Sequence, residues 1–236
     1  MIMTNEPDLG MRLASVRSQI LDAALTAGRE PSSITTIIVT KFQPVSLIRE
    51  LLNLGERDFG ENRHQEASEK AAVLANTPAR WHFIGQLQSN KAKAVRAYAS
   101  VVHSLDRESL VPGLSAPAVD DPNDDLEPLD VFVQVDLGTE PGRGGVVPAA
   151  LDALVERVVA ASGITLVGLM TVAPLETEPR RAFARLRELA EGVRRTVPGA
   201  TSLSMGMSGD FIDAILEGAT HLRLGSAITG NRPLNG

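Results

Sequence analysis

Apolar and polar residues alternate along this chain in two recurring patterns. Short runs rich in β-branched residues, such as residues 35–41 (TTIIVTK) and 130–136 (DVFVQVD), end in polar residues or in glycine. Longer stretches with apolar residues at helical spacing, such as residues 148–161, follow these runs. The alternation predicts repeated parallel β/α units.

The pattern predicts eight strands, the number that closes a (β/α)₈ barrel. They cover residues 35–41, 57–62, 80–85, 100–106, 130–136, 164–172, 201–208 and 221–228. The predicted helices cover residues 45–54, 65–75, 89–99, 148–161, 179–196 and 210–218, with an extra N-terminal helix at 9–27. An open doubly wound sheet is the alternative. That fold usually has fewer strands and a glycine-rich first turn, whereas the first turn here (KFQP, residues 41–44) has no glycine.

One segment departs from the repeat. Residues 107–128 are rich in proline, aspartate and serine, which predicts an irregular loop with at most a short helix at its start. No change of composition divides the chain, so we expect residues 1–236 to form a single barrel domain.

The composition argues against several classes of function. The 236 residues carry a net charge of −6, which argues against a nucleic-acid partner, because phosphate binding needs a basic face. The chain has no cysteine, which excludes disulfides and thiolate nucleophiles, and its histidines lack metal-ligand spacing. No secretory signal and no apolar run of about 20 residues is found. We therefore expect a cytoplasmic protein without a membrane partner.

Functional residues of β/α barrels lie at the C-terminal ends of the strands. There, residues 204–210 (SMGMSGD) place Ser208 and Gly209 before a helix, and residues 223–227 (RLGSA) place Gly225 and Ser226 after strand eight. Taken singly, Ser208 is explained as a helix N-cap and the glycines as turn residues. Together the two turns favour a phosphate site, because the loops after strands seven and eight bind phosphate in many such barrels.

Barrel closure brings strand one, and with it Lys41, beside these turns. A lysine at a strand end is usually a solvated surface residue. Next to a phosphate site, the amine of Lys41 is suited to form an imine with a phosphorylated carbonyl compound. Arg223 has two interpretations: an ion pair with a rim carboxylate such as Asp210, or a donor to the ring nitrogen of a pyridine cofactor. His82 is interpreted as a hydrogen-bonded structural histidine.

Seven stretches give the chain a specific resemblance. They are VTKFQP, FGENRHQE, WHFIGQLQSNK, VFVQVDLG, GLMTVAP, LSMGMSGD and RLGSAITG, and they span most of residues 37–232. Through them the chain resembles the YggS/PROSC family of pyridoxal-phosphate homeostasis proteins, whose fold matches the N-terminal barrel of alanine racemase. Two departures are Arg63-His64, where the family usually has an aromatic or aliphatic pair, and Ser226, where threonine is frequent.

The resemblance implies a pyridoxal 5′-phosphate (PLP) site with Lys41 as the Schiff-base lysine. It also implies that the phosphate is held by Ser208, Gly209, Gly225 and Ser226, that Arg223 faces the pyridine nitrogen, and that Asn62 and Met170 line the ring. The implied function is a monomeric, cytoplasmic carrier that buffers PLP and delivers it to apoenzymes, without efficient turnover.

Two enzymatic alternatives stay open. An amino-acid racemase needs a second proton-transfer group, which in alanine racemase is a tyrosine of a second domain. We expect no second domain here, and the one tyrosine, Tyr98, lies in a helical pattern away from the strand ends. A cofactor-free lysine-imine aldolase needs a relay acid beside Lys41, and the sequence offers no obvious one.

Overall fold

The computed structural model describes residues 8–115, 128–138 and 144–230. Within them, eight parallel strands form a closed barrel in the order β1 to β8. They are β1 Thr35–Val39, β2 Asp58–Glu61, β3 Arg80–Phe83, β4 Val101–Leu105, β5 Leu129–Gln134, β6 Ile164–Met170, β7 Ser202–Ser204 and β8 His221–Leu224. The closed barrel confirms the predicted fold class, and the open-sheet alternative is wrong.

Helices surround the barrel. They are α1 Leu9–Thr26, α2 Val45–Asn53, α3 His64–Val73, α4 Ala92–Arg96, α5 Val111–Ser115, α6 Leu151–Val159, α7 Pro179–Thr196, α8 Phe211–Leu216 and α9 Ser226–Thr229. The extra helix α1 is capped by Asp8, whose carboxylate accepts the Met11 amide at 2.7 Å, and it packs on α8 and α9. No helix in the described ranges has the length and apolar character needed to cross a bilayer.

The segment predicted as a loop contains α5 near its start. Residues 107–115 contain a 3₁₀ turn at Glu108–Leu110 and then α5, which agrees with a short helix at the start of the segment. The remainder of the prediction, at residues 116–127, lies outside the described residues.

The last two strands are shorter than predicted. β7 ends at Ser204, because Gly206 adopts a positive φ of 92° that an extended strand cannot continue. β8 ends at Leu224, and the residues from Ser226 onward form α9, so the prediction of a strand to residue 228 is wrong. Both strands therefore end earlier than predicted, and turns follow them at the barrel mouth.

The barrel interior is unusually polar. Most large apolar residues lie in one cluster between the strands and the helices, whereas Val101, Phe132 and Met170 form a separate cluster. On Phe132, the ring of His103 stacks at 4.4 Å and the ring of His221 packs edge-on at 5.0 Å. Histidines thus occupy positions where branched aliphatic side chains usually fill such a barrel.

These histidines make the free energy of unfolding depend on pH. Burial lowers the pKa of His221 to about 4 and lowers the pKa values of His82 and His103. The unfolded chain binds protons near pH 6.5 and the folded chain does not, so stability is lost as pH falls below about 6.5. We predict a loss of about 2 kcal/mol from His221 alone between pH 7.5 and 5, measured by urea unfolding. A His221→Asn variant with an unchanged pH slope would contradict this cause.

Candidate functional site at the barrel mouth

Lys41 lies in the turn that joins β1 to α2. Its side chain is exposed, and it follows the last strand residue, Val39, by two positions. Its neighbour Phe42 has a φ of 63° and is the one non-glycine residue with a positive φ in the described ranges. A left-handed conformation is strained for an aromatic residue, so this turn needs support from its surroundings.

A buried ion cluster supports the turn from the N-terminal side of Lys41. The ammonium of Lys70, on α3, donates to the Thr40 carbonyl, to Glu61 Oε1 and to Glu66 Oε1, each at 2.7 Å. The Thr40 hydroxyl also donates to Glu61 Oε1 at 2.7 Å. Burial raises the pKa of Glu61, although its hydrogen bonds to Lys70 and Thr40 act in the opposite direction. We name Lys70, Glu61, Glu66 and Thr40 the Lys70 cluster.

The Lys70 cluster also holds the backbone on the C-terminal side of Lys41. Glu66 Oε1 accepts the Phe42 amide at 2.6 Å, and the Arg63 guanidinium lies over the Phe42 ring at 5.3 Å from its centroid. His64 turns away and stacks on Tyr98 at 5.8 Å. The backbone on both sides of Lys41 is therefore fixed, while its side chain is free of such contacts within the described residues.

The turns after β7 and β8 meet at Ser208. Its hydroxyl oxygen accepts the backbone amides of Gly225 and Ala227, both at 3.3 Å. The N-cap of α8 is Asp210, so the interpretation of Ser208 as a helix N-cap is wrong. Two backbone N–H groups that point at one oxygen form the arrangement by which proteins bind an anionic oxygen. We name Ser208 with the amides of Gly225 and Ala227 the cradle.

The cradle leaves room around its glycines. A Cβ atom placed on Gly209 would meet nothing within 4 Å, and Ser226 is exposed beside it. A Cβ atom on Gly225 would lie 3.6 Å from Cβ of Val39, because β1 pairs with β8. Lys41, two residues after Val39, therefore leaves β1 next to the cradle, as the predicted barrel closure requires.

Arg223 is buried inside the barrel below the cradle. Its Nη1 donates to Ser204 Oγ at 2.7 Å and its Nη2 donates to the Thr171 carbonyl at 2.8 Å. Burial lowers the pKa of Arg223 to about 10, while the negative charge of Asp210 opposes that shift. The guanidinium stays charged at neutral pH. No carboxylate among the described residues forms an ion pair with it, so the predicted pairing with Asp210 is wrong.

The two residues expected to line a ring lie on different strands. Asn62 follows β2, and its Oδ1 is buried without a hydrogen-bond partner among the described residues. Met170 ends β6 and packs with Val101 and Phe132 in the barrel interior. The unpartnered oxygen of Asn62 leaves a place for a donor group of a ligand.

Lys70 and Glu66 are not among the residues predicted from the sequence. Their spacing of i and i+4 on a helix is a common surface pattern, which gives no sign of burial.

A cavity of about 490 Å³ beside Asn62 is also absent from the prediction. Its lining includes Arg63, Lys91 and Arg107 and contains no carboxylate side chain. Only the fold brings these three cations together.

Known proteins resemble this chain over most of its length. Residues 36–233 match the family model of the alanine racemase N-terminal domain. The pyridoxal phosphate homeostasis protein of Pseudomonas aeruginosa is 42% identical, over 93% of this chain and 94% of the relative. The protein of that name from Escherichia coli is 37% identical, over 95% of this chain and 97% of the relative. The chain belongs to the pyridoxal phosphate homeostasis protein family. This confirms the resemblance seen in its motifs.

Solved structures agree with this family membership. PipY of Synechococcus elongatus, solved with PLP bound, matches with a TM-score of 0.78 and 33% identity, over 94% of this chain and 100% of PipY. Alanine racemase of Corynebacterium glutamicum matches with a TM-score of 0.67 at 17% identity, over 95% of this chain and 62% of the racemase. The racemase thus shares the fold with this chain.

The Lys70 cluster makes a testable contribution to stability. We predict that Lys70→Met lowers the free energy of unfolding at pH 7.5 by about 3 to 5 kcal/mol, because it leaves two carboxylates without their ammonium partner. The loss should shrink as pH falls, because burial raises the pKa of Glu61 and so favours its neutral form. The exposed Lys91→Met is the matched control, with a change within about 0.5 kcal/mol. Equal effects of the two variants in urea unfolding would contradict a supporting role for the cluster.

Proposed function

We propose that this protein binds PLP, holds it as an imine on Lys41, and buffers or delivers it to apoenzymes. The observation that carries the proposal is the meeting of the cradle with the end of β1, two residues before Lys41. A phosphate bound at the cradle places an aldehyde near the amine, which makes imine formation effectively intramolecular.

The residues at the mouth fit the parts of this cofactor. PLP supplies, when bound, an aldehyde that condenses with a free amine and releases water. Ser208, whose hydroxyl oxygen accepts both cradle amides, and Ser226 offer hydroxyl hydrogens to the phosphate, and Gly209 leaves open space for it. Asn62 has an unpartnered oxygen for a donor, and Met170 offers an apolar surface at the end of β6. PipY, which is similar over 94% of this chain, was solved with PLP bound, and this supports the assignment.

The charge of Arg223 favours a protein that holds PLP over an enzyme that uses PLP in catalysis. A permanently charged donor facing the pyridine nitrogen keeps that nitrogen unprotonated, which weakens the ring as an electron sink. A carboxylate in that position would have the opposite effect, and none of the described residues supplies one. The charge of Arg223, which burial does not remove at neutral pH, therefore supports a carrier.

The relatives and Tyr98 also favour a carrier over a racemase. The curated relatives are named homeostasis proteins. Tyr98 stacks on His64, and burial raises the pKa of its phenol, so it is poorly suited to transfer a proton at neutral pH.

We extend the proposal to a cytoplasmic monomer, in a single domain, whose partners are PLP-dependent apoenzymes. Racemisation of alanine by the PLP-loaded protein at an enzyme-like rate would instead establish the catalytic alternative.

Borohydride trapping tests the covalent site. We predict that borohydride reduction of the PLP-treated protein adds one pyridoxyl group to the peptide that contains Lys41, as measured by mass spectrometry. Lys41→Ala should abolish this label, because no other lysine lies beside the cradle in the described residues. Lys93→Ala, at an exposed position on α4, should retain it. Labelling of Lys41→Ala at the wild-type level would rule out Lys41 as the imine-forming residue.

A comparison of two ligands tests the cradle. Ser208→Ala removes the hydroxyl that joins the two turns, so we expect PLP to bind about tenfold more weakly, a loss typical of one hydrogen bond to a charged group. Pyridoxal, which lacks the phosphate, should bind the variant and the wild type equally. Isothermal titration of both ligands measures the two effects. An equal loss for pyridoxal would show that Ser208 does not act on the phosphate.

A further inference from the structure

An unbroken line of hydrogen bonds crosses the barrel from Arg223 to Asp58. Nη1 of Arg223 lies 2.7 Å from Ser204 Oγ, which lies 2.8 Å from His103 Nδ1. His103 Nε2 lies 3.0 Å from His82 Nδ1, and His82 Nε2 lies 2.9 Å from Asp58 Oδ1. Asp58 is the first residue of β2, so the line runs from the cofactor end of the barrel to the opposite end. We name these five residues the relay.

The carboxylate at the Asp58 end, together with neutral histidines, fixes the direction of every hydrogen bond in the relay. A guanidinium can only donate, so Ser204 Oγ accepts from Arg223 and keeps its own hydrogen available for His103 Nδ1. An ionised carboxylate can only accept, so His82 Nε2 carries a hydrogen and donates it to Asp58. His103 Nε2 then donates to His82 Nδ1. With both histidines neutral, each carries its hydrogen on Nε2, and the bare Nδ1 of His103 accepts the hydroxyl hydrogen of Ser204.

The reverse order fails at Asp58. If His103 donated from Nδ1 to Ser204, its Nε2 would accept, and His82 would have to donate from Nδ1. The neutral His82 would then face Asp58 with a bare Nε2, and two acceptors would meet at 2.9 Å. When both histidines are neutral, a single assignment of donors and acceptors satisfies all four contacts.

The charges around the relay are consistent with this order. Burial lowers the pKa values of both His82 and His103; Asp58 and Asp130 oppose that shift at His82, whereas Arg80 adds to it. At His103 the neighbouring His82, Arg223 and His221 lower the pKa further. Burial acts to raise the pKa of Asp58, but His82, Arg80 and His221 together hold it below its usual value. Near neutral pH the histidines are uncharged and the carboxylate is charged.

We propose that Ser204, His103, His82 and Asp58 are positioning residues that aim the Arg223 guanidinium at the ring nitrogen of the bound cofactor. Two of the five guanidinium N–H groups are fixed by Ser204 and Thr171, which sets the plane of the group and leaves three N–H groups for a ligand. The inference rests on the proposed function, because the target of the guanidinium is the pyridine nitrogen.

The structure provides a matched pair of variants. Ser204 is in the relay, whereas the buried hydroxyl of Ser104 on β4 has no hydrogen-bond partner among the described residues. Ser204→Ala breaks the relay beside Arg223, and Ser104→Ala removes the same atom without breaking it. Both changes remove one buried hydroxyl oxygen of the same size, so the lost volume alone would not separate them.

The first experiment uses the protein without cofactor. Nitrogen-15 NMR of labelled histidines reports which ring nitrogen carries the hydrogen. We expect His82 and His103 to be neutral and protonated on Nε2 at pH 7, with His103 perturbed in Ser204→Ala but not in Ser104→Ala. A hydrogen on Nδ1 of either ring, or a charged ring, at pH 7 would overturn the proposed order.

The second experiment uses PLP with a nitrogen-15 ring label. We expect Ser204→Ala to weaken PLP binding about five- to tenfold and to shift the ring-nitrogen resonance, because the guanidinium loses one of its two fixed acceptors. Ser104→Ala should match the wild type in both measurements. Identical behaviour of the two variants would overturn the positioning role. If wild-type protein failed to bind PLP at all, the proposed function would fail, while the NMR result would still stand for the relay.

Discussion

The parallel pairing of β1 with β8 is the contact on which the site depends. It sets Ile37 opposite Arg223 and brings Val39 against Gly225. In an open sheet with the same strands, the amine and the cradle would lie at opposite edges. The closed barrel also lets β4 and β7 face each other across the interior, so that His103 reaches Ser204. The site at the mouth and the polar interior beneath it thus have one topological origin.

The protein positions the two cations of the candidate site in different ways. The turn that carries Lys41 is held by a compact cluster of opposite charges around Lys70. Arg223 is held by neutral acceptors, the Ser204 hydroxyl and the Thr171 carbonyl. A buried ammonium with two carboxylates is locally compensated, whereas a buried guanidinium with neutral acceptors keeps an uncompensated positive charge. That charge remains available to act on a bound ligand.

The alternation of short apolar runs and helical stretches was enough to predict the strand number, the barrel and the extra helix α1. The ends of β7 and β8 were not predictable in the same way, because a short run such as residues 223–228 suits a strand or a helix equally. Lys41, Ser208 and Arg223 could be placed at the mouth from strand ends alone. The contact of Ser208 with the Gly225 amide, the left-handed φ of Phe42 and the pairing of two histidines depend on distant segments, and no local pattern encodes them.

The Lys70 cluster holds the residues on either side of Lys41 and leaves its side chain rotating in solvent. A long side chain that becomes immobilised loses up to about 2 kcal/mol of rotamer entropy. Forming a covalent bond at the tip of Lys41 must overcome this loss, and breaking the bond restores the lost freedom. The turn itself need not move in either direction. In the proposed carrier, the conformational freedom of this one side chain therefore opposes loading and favours release.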